Sequence, residues 1–261
     1  MAKKRAGFYH TIEYIGPRPR KPKRRNFFGG WVILVIAAAV AFWFGRPLVP
    51  FLRAAQGGTS LEQANVLISS LERSGSFGER LAAAALARSL KPITYELAYY
   101  TIPYPNGDVP SNKGKAEDVI IRCYRQLGID LQAEVHNDMV KNFTLYPQIF
   151  PGVTTPDTNM DHRRTLNLQR FFTRKGEELS PRRNAADYLP GDIVVWALVG
   201  KQSADAHIGI VVPSPDGNTA QPWVVHHLDS TVKWENALFD YQILGHYRYP
   251  ASAGDVKQVS R

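Results

Sequence analysis

The chain contains a single cysteine, Cys123, among its 261 residues. One thiol excludes a fold held together by disulfides and a zinc site built from several cysteines. The sequence also lacks a glycine-rich phosphate-binding loop and the Gly-x-Ser-x-Gly motif of serine hydrolases. Asp161 and His162 are adjacent, and His226 and His227 point to opposite faces of a strand, so neither pair is spaced as metal ligands. We therefore expect no metal and no cofactor.

The positive charge of the chain is confined to its first residues. The formal net charge is +9, but residues 1–26 hold nine Lys and Arg side chains against the single acid Glu13. The remaining chain carries 23 basic and 22 acidic side chains and is nearly neutral. A nucleic-acid-binding domain would need a basic face on the folded part. We therefore expect no nucleic-acid partner.

Charge is absent from the segment that follows this tail. Phe27 to Gly45 runs for nineteen residues without a charged side chain, with Trp31 and Trp43 near its two ends. A bilayer core needs roughly 20 such residues in a helix, and tryptophan favours the membrane interface. The sequence therefore predicts one transmembrane helix over residues 27–46. The positive-inside rule places the tail in the cytoplasm and the rest in the periplasm, as a single-pass protein of the inner membrane.

The remaining chain divides by composition and periodicity. Apolar residues at helical spacing predict helices from Ser60 to Leu71, Glu79 to Leu90 and Ala116 to Leu127, and two further short helices over 131–143 and 166–175. Short apolar runs predict strands over 193–196, 207–212, 223–228 and 245–249. Helices followed by an antiparallel meander indicate an α+β fold. The predicted regions are a cytoplasmic tail (1–26), a transmembrane helix (27–46), a linker with a helical stalk or cap (47–92), the main domain (93–250) and a flexible tail (251–261).

Several stretches of the main domain resemble a known group of enzymes. YLPGDIVVW, HIGIVV and VVHH are similar to the strand region of NlpC-type papain-like cell-wall peptidases. YPNGDVPSNKGKAEDVIIRCYRQLGIDLQ, NMDHRRTLNLQRFF and GHYRY resemble an uncharacterised bacterial branch of that clan, from about Thr94 to Tyr249. The resemblance implies a papain-like fold and hydrolysis of amide bonds in peptidoglycan stem peptides. It also implies a Cys at a helix N-terminus, a His on a following strand and a third polar residue that orients the His.

The resemblance assigns positions to most of this machinery. His207 matches the catalytic histidine, and His226 matches the orienting residue. Tyr95 matches an aromatic residue upstream of the nucleophile. Asp118, Arg163 and Arg164 are candidate substrate-binding residues, because arginine forks suit carboxylates. The alternative for Asp161 to Arg164 is an internal ion-pair network that closes the 144–165 loop.

The nucleophile is the exception. The family pattern Gly-x-Cys-x-Asp reads Gly114-Lys115-Ala116-Glu117-Asp118 in this chain, so a methyl group stands at the position of the sulfur. Cys123 lies two helical turns further on, on the predicted buried stripe, where a thiol usually acts as a small apolar residue.

Three functions are compatible with this pattern, and one of them is a structural membrane protein whose domain scaffolds partners without using the groove. We expect a membrane-anchored pseudoenzyme that binds peptidoglycan stem peptides, or docks on a cell-wall protein and regulates it. The alternative is an active cysteine amidase or endopeptidase that uses Cys123, or whose native form carries a cysteine at position 116.

Overall fold

A computed structural model describes residues 61–251, except for 150 and 199–205, together with residue 16 and residues 34–40. The chain divides into two units at Arg53 and Ala54, and the fold below is that of the second unit. Residues 34–40 are helical, and the remainder of the predicted 27–46 span lies outside the described residues. Within the described residues, no helix combines the length and apolar character that crossing a membrane requires.

Two helices open the described fold. Helix α1 (Leu61–Glu72) presents Ala64, Ile68 and Leu71 to the core. Helix α2 (Phe77–Ser89) begins after the N-cap Ser76, and its alanine-rich centre is buried. Alanine allows close helix packing and has the highest helix propensity. Both helices belong to the main apolar core, so the predicted boundary at residue 93 divides a continuous core.

Three further helices precede the main sheet. Helix α3 (Ala116–Gln126) ends before Gly128, whose φ of +87° suits glycine. Helix α4 (Leu131–Asn142) is capped by Asp130, which accepts a hydrogen bond from the Gln132 backbone N–H. Helix α5 (Thr165–Lys175) ends at Gly176. These bounds confirm the helices that the apolar periodicity predicts, to within one or two residues.

The strands form two sheets. A parallel pair joins β1 (Thr94–Tyr95) to β2 (Lys113–Gly114). The main sheet is antiparallel, in the order β3–β8–β4–β5–β6–β7. Its strands are β3 (Glu177–Leu179), β4 (Ile193–Ala197), β5 (Ala206–Val212), β6 (Trp223–His226), β7 (Lys233–Glu235) and β8 (Gln242–Arg248).

The sheet order differs in part from the predicted meander. Strands β4 to β7 follow one another as expected, but β8 returns to pair with β4. Strand β4 is almost entirely buried, and the second partner satisfies the backbone groups along its other edge. The short strands β1, β2, β3 and β7 carry no clear alternation, so the sequence pattern does not predict them. The structure is therefore an α+β fold with an antiparallel sheet.

The two faces of the sheet bury different clusters. Ile208 and Ile210 of β5 face the main core, which contains residues from all five helices. Val211 and Trp196 lie in a smaller cluster on the opposite face, with Val224 and Leu238. Because strand side chains alternate between faces, His207 shares the side of Val211.

Candidate functional site

The vacant nucleophile position is the first residue of a helix. Ala116 begins α3 and is 4% exposed, and α3 packs against α2 and β5. Gly114, with φ +150°, precedes it, and a Cβ there would lie 2.9 Å from the Asp118 Cβ. Asp118 in turn accepts a hydrogen bond from the Lys115 backbone N–H at 2.9 Å. The Gly-x-Ala-x-Asp sequence thus builds a tight turn into the helix, and glycine is required at its start.

The carboxylates in the first turn of α3 bind internal partners. Asp118 forms a bidentate ion pair with Arg163, with N···O distances of 2.8 and 3.1 Å, and both side chains are buried. Burial opposes the charge on Arg163, but the bond to Asp118 raises its pKa above the ordinary value. Glu117 accepts hydrogen bonds from the backbone N–H and the hydroxyl of Thr165. These hydrogen bonds therefore hold the first turn of α3 against the start of α5.

This arrangement matches the internal ion-pair alternative for Arg163. The guanidinium of Arg163 contacts a buried carboxylate of the same chain and is 1% exposed. A separate pair joins this segment to α4, where His136 Nδ1 lies 2.9 Å from the Asp161 carboxylate. Arg164 is partly exposed. Substrate binding by Asp118, Arg163 and Arg164 stays a prediction, and Arg164 is the most accessible of the three.

Two predicted site residues, His207 and His226, are brought together by β5 and β6. His207 Nε2 lies 2.8 Å from His226 Nδ1. The two residues are 5% and 2% exposed, so water has little access to the bond between them. Such a pair can hold one imidazole in a fixed orientation while the other transfers a proton.

A third residue, Glu235, extends this pair. Glu235 is on β7, which pairs with β6, and its Oε1 lies 2.7 Å from His226 Nε2. Burial is the largest single influence on Glu235 and opposes its ionisation, but the interactions with His226 and Lys233 together outweigh it, so the pKa of the carboxyl lies below its ordinary value. Sequence reasoning missed Glu235 because β7 has three residues and carries no motif.

Trp196 covers the histidine pair from β4. Its indole stacks on the His207 ring, with centroids 5.8 Å apart and planes at 24°. The indole N–H donates to the Leu238 carbonyl at 2.9 Å, which fixes the ring. Gly209 leaves room for this ring, because a Cβ there would lie 2.9 Å from two of its atoms.

Tyr95 lies against His227 rather than against His207 or His226. The Tyr95 and His227 rings meet edge to face at 5.2 Å. Tyr95 also pairs with Gly114 in the β1–β2 sheet, so this contact joins the approach to α3 to the end of β6. His227 is fully buried, and burial lowers its pKa.

Cys123 lies in the core, as the apolar stripe of α3 predicts. The thiol is fully buried, and burial raises its pKa to about 12. A thiol is a nucleophile only as the thiolate, so almost none of Cys123 is reactive at neutral pH. The arrangement therefore disfavours Cys123 as the nucleophile of an active enzyme.

The described residues offer acid–base groups and no cation site. No three His, Cys, Asp or Glu side chains in the described ranges are placed to hold a metal ion. The chemistry that the site provides is proton transfer and hydrogen bonding through His207, His226 and Glu235. A covalent step would need a nucleophile that neither Ala116 nor the buried Cys123 supplies.

Comparison with known proteins gives one family match that spans the site. A family model described as "Domain of unknown function (DUF1287)" matches residues 82–249, which include Ala116, His207, His226 and Glu235. The chain is 42% identical over 157 residues to the uncharacterized protein YijF of Escherichia coli (strain K12). That match covers 59% of this chain and 73% of YijF. No solved structure matches the chain significantly.

Proposed function

The chain belongs to the DUF1287 family, and from that premise we propose that it is a membrane-anchored, papain-like pseudoenzyme of the cell wall. Its extracytoplasmic domain binds peptidoglycan stem peptides without cleaving them, or docks on a cell-wall enzyme and regulates it. The observation that carries the proposal is Ala116 at the start of α3, in a domain that keeps the His207–His226 pair at 2.8 Å.

The order of the elements supports the papain-like part of the proposal. The resemblance implies a nucleophile position at a helix N-terminus, followed by an antiparallel sheet with the histidine on one strand and its partner on the next. Helix α3, strand β5 and strand β6 occupy that order, and α3 packs against β5. Ala116 lies in the core on one face of the sheet, however, whereas His207 stacks on Trp196 on the opposite face, so only the order of the elements supports the proposal. Tyr95 joins the approach to α3 to the end of β6 through His227.

The chemistry of the residues supports the loss of cleavage. A methyl group cannot attack a carbonyl, and a thiol peptidase needs a thiolate stabilised by an imidazolium or a helix N-terminus. Binding does not need the sulfur. A stem peptide offers amide N–H groups, carbonyls and carboxylates, and the partly exposed Arg164 can donate hydrogen bonds to such carboxylates.

The experiment is sedimentation of the full chain, purified in detergent, with peptidoglycan sacculi. We expect the chain to sediment with the sacculi and to release no peptide above background. Tyr95→Ala should weaken the binding, whereas Val66→Ser, an exposed residue of α1, should leave it unchanged. Peptide release that His207→Ala abolishes would show an active enzyme and overturn the proposal.

Failure of the wild-type chain to sediment would contradict stem-peptide binding. A cell-wall hydrolase whose activity changes on addition of the chain would then support the regulatory form. If neither effect is seen, both forms of the proposal are wrong.

The membrane anchor has its own test. The proposal rests on the uncharged segment 27–45 after a basic tail. We expect the chain to stay with membranes in alkaline carbonate, and an external protease to degrade the domain in spheroplasts but not in intact cells. Release of the chain by carbonate, or protection of the domain in spheroplasts, would contradict this topology.

A further inference from the structure

His227 is a buried histidine whose ring lacks the usual hydrogen bonds. The residue is fully buried, and neither ring nitrogen has a hydrogen-bond partner among the described residues. The Ser230 backbone weakly favours the charged form of the ring, but its contact does not have the geometry of a hydrogen bond. His226 and His246, by contrast, each bind a carboxylate. Buried polar side chains are nearly always hydrogen-bonded, so this exception needs a physical reason.

The ring of His227 lies on the side of the sheet that packs against the helices. Val225, two residues earlier, belongs to the main core together with Ala116. Side chains alternate along a strand, so His227 shares the face of Val225. His226, between them, points the other way and contacts Trp196. His227 is therefore on the same side of the sheet as Ala116.

Two interactions place this ring beside the start of α3. The ring meets Tyr95 edge to face at 5.2 Å, and Tyr95 pairs with Gly114 in the small parallel sheet. Asp118 is near enough for its charge to favour the protonated ring, although burial has the larger and opposite effect. Gly114 and Asp118 flank Ala116 in the tight turn into the helix. The ring thus lies next to the turn that carries the vacant nucleophile position.

We propose that His227 is the imidazole partner of position 116, in place of His207. With a cysteine at position 116, the thiol proton would pass to a ring nitrogen of His227 and leave a thiolate and an imidazolium. The positive end of a helix and an imidazolium both stabilise a thiolate. This chain has an alanine there, which neither donates nor accepts a hydrogen bond. The missing thiol accounts for the unpaired nitrogens of His227.

The charged groups around the ring leave room for a thiolate as its counter-charge. Burial opposes the charged ring most strongly and His226 opposes it as well, whereas Asp229 and Asp118 favour it. Both carboxylates are already paired with basic side chains, so they do not supply a full counter-charge to the ring. A thiolate beside His227 would supply that negative charge.

The inference rests on the proposed function, because it takes Ala116 as the vacant nucleophile position. It deepens that function by naming the histidine that belongs to the site. The His207–His226 pair, on the other face of the sheet, then has no part in proton transfer at position 116.

The experiment is a pH titration of a thiol introduced at position 116, in the full chain purified in detergent. The protein carries Ala116→Cys with Cys123→Ala, and the ultraviolet absorbance of the thiolate gives the thiol pKa. We expect this pKa to lie below about 7, against an ordinary value of about 8.5. Adding His227→Gln should make the thiol pKa higher by at least about 1, because the imidazolium is lost. Adding His207→Gln is the matched control and should leave the thiol pKa unchanged.

A second measurement keeps His227, so it does not depend on how the His227→Gln variant folds. Nitrogen-15 NMR distinguishes ring nitrogens with and without hydrogen, and through-bond correlations assign the His227 signals. At neutral pH, the His227 ring should carry one hydrogen in Cys123→Ala and two in the protein with the added cysteine. Circular dichroism checks that both proteins are folded.

The opposite results overturn the inference. These are a thiol pKa that depends on His207 and not on His227, an ordinary thiol pKa in every variant, or a His227 ring with one hydrogen in both proteins. Failure of the proposed function is distinguishable from these results, because sedimentation with sacculi uses the unchanged chain and involves no thiol at position 116.

Discussion

The Trp196 indole lies on the His207 imidazole, with ring centroids 5.8 Å apart. The two residues are direct partners on β4 and β5, so the antiparallel register itself places one ring over the other. Trp196 is almost completely buried and is held by its bond to Leu238. The orientation of His207 therefore depends on a packed aromatic residue as well as on His226.

Gly209→Ala should disturb this contact. The new methyl group would lie 2.9 Å from the Trp196 ring and 3.0 Å from the Val225 carbonyl oxygen, so the buried ring must shift. Overpacking of this kind costs about 1–3 kcal/mol. Denaturant unfolding measures the loss, and Gly75→Ala is the control because nothing lies within 4 Å of its added Cβ. Equal stabilities of the two variants would show that the sheet relaxes without cost.

Asp118→Asn should destabilise the fold strongly. The substitution leaves Arg163 charged, buried and without its carboxylate, which typically costs about 3–5 kcal/mol. Asp229→Asn breaks the more exposed pair with Lys233 and should cost less than about 1 kcal/mol. Urea titrations of both variants give the comparison. Similar losses of unfolding free energy in the two variants would mean that the buried pair does not stabilise the start of α3.

Acid should destabilise the protein through its buried histidines. Burial lowers the pKa of His162 to about 3, against the pull of Asp118, while an unfolded histidine titrates near 6.5. As the pH falls below 6.5, the unfolded chain therefore binds a proton that the folded chain does not. The free energy of unfolding then falls by up to about 1.4 kcal/mol per pH unit for this residue. His227, whose pKa burial also lowers, adds an effect of the same sign.

The window from about pH 6.5 to about pH 5 isolates the histidines, because most carboxylates stay ionised there. The slope of unfolding free energy against pH should be smaller in His162→Leu than in the wild type. Urea titrations at several pH values measure this slope for both proteins. An unchanged slope would show that His162 is protonated in the folded protein.

A thiol placed at position 116 should react far faster than the natural one. In the double variant Ala116→Cys with Cys123→Ala, the thiol lies at the N-terminus of α3, where the helix dipole favours the thiolate. In the wild type, the thiolate of Cys123 is suppressed by a pKa of about 12. Alkylation at neutral pH, followed by mass spectrometry, should be at least about 100-fold faster at position 116.

His207→Ala in that double variant should leave the alkylation rate unchanged, because His207 stacks on Trp196 on the face of the sheet opposite to the core that contains position 116. Equal alkylation rates for the introduced thiol and for the natural Cys123 would contradict the assignment of Ala116 as the vacant nucleophile position.

Local patterns in the sequence determined the helices and the identity of several site residues. The 3.6-residue spacing of apolar side chains predicts α1 to α5, and the same spacing places Cys123 on a buried face. Gly128 and Gly176 mark helix ends for the same local reasons of backbone geometry. These features depend on neighbours within a few residues, which the sequence displays directly.

The tertiary structure decided what long-range pairing controls. The return of β8 to β4, the bidentate bond of Asp118 to Arg163 and the approach of Glu235 to His226 join residues that no local spacing relates. Burial, which keeps His162 and His227 neutral, also depends on how several elements pack together. A sequence lists which groups are present, but hydrogen bonds and desolvation depend on distances that only the folded chain fixes.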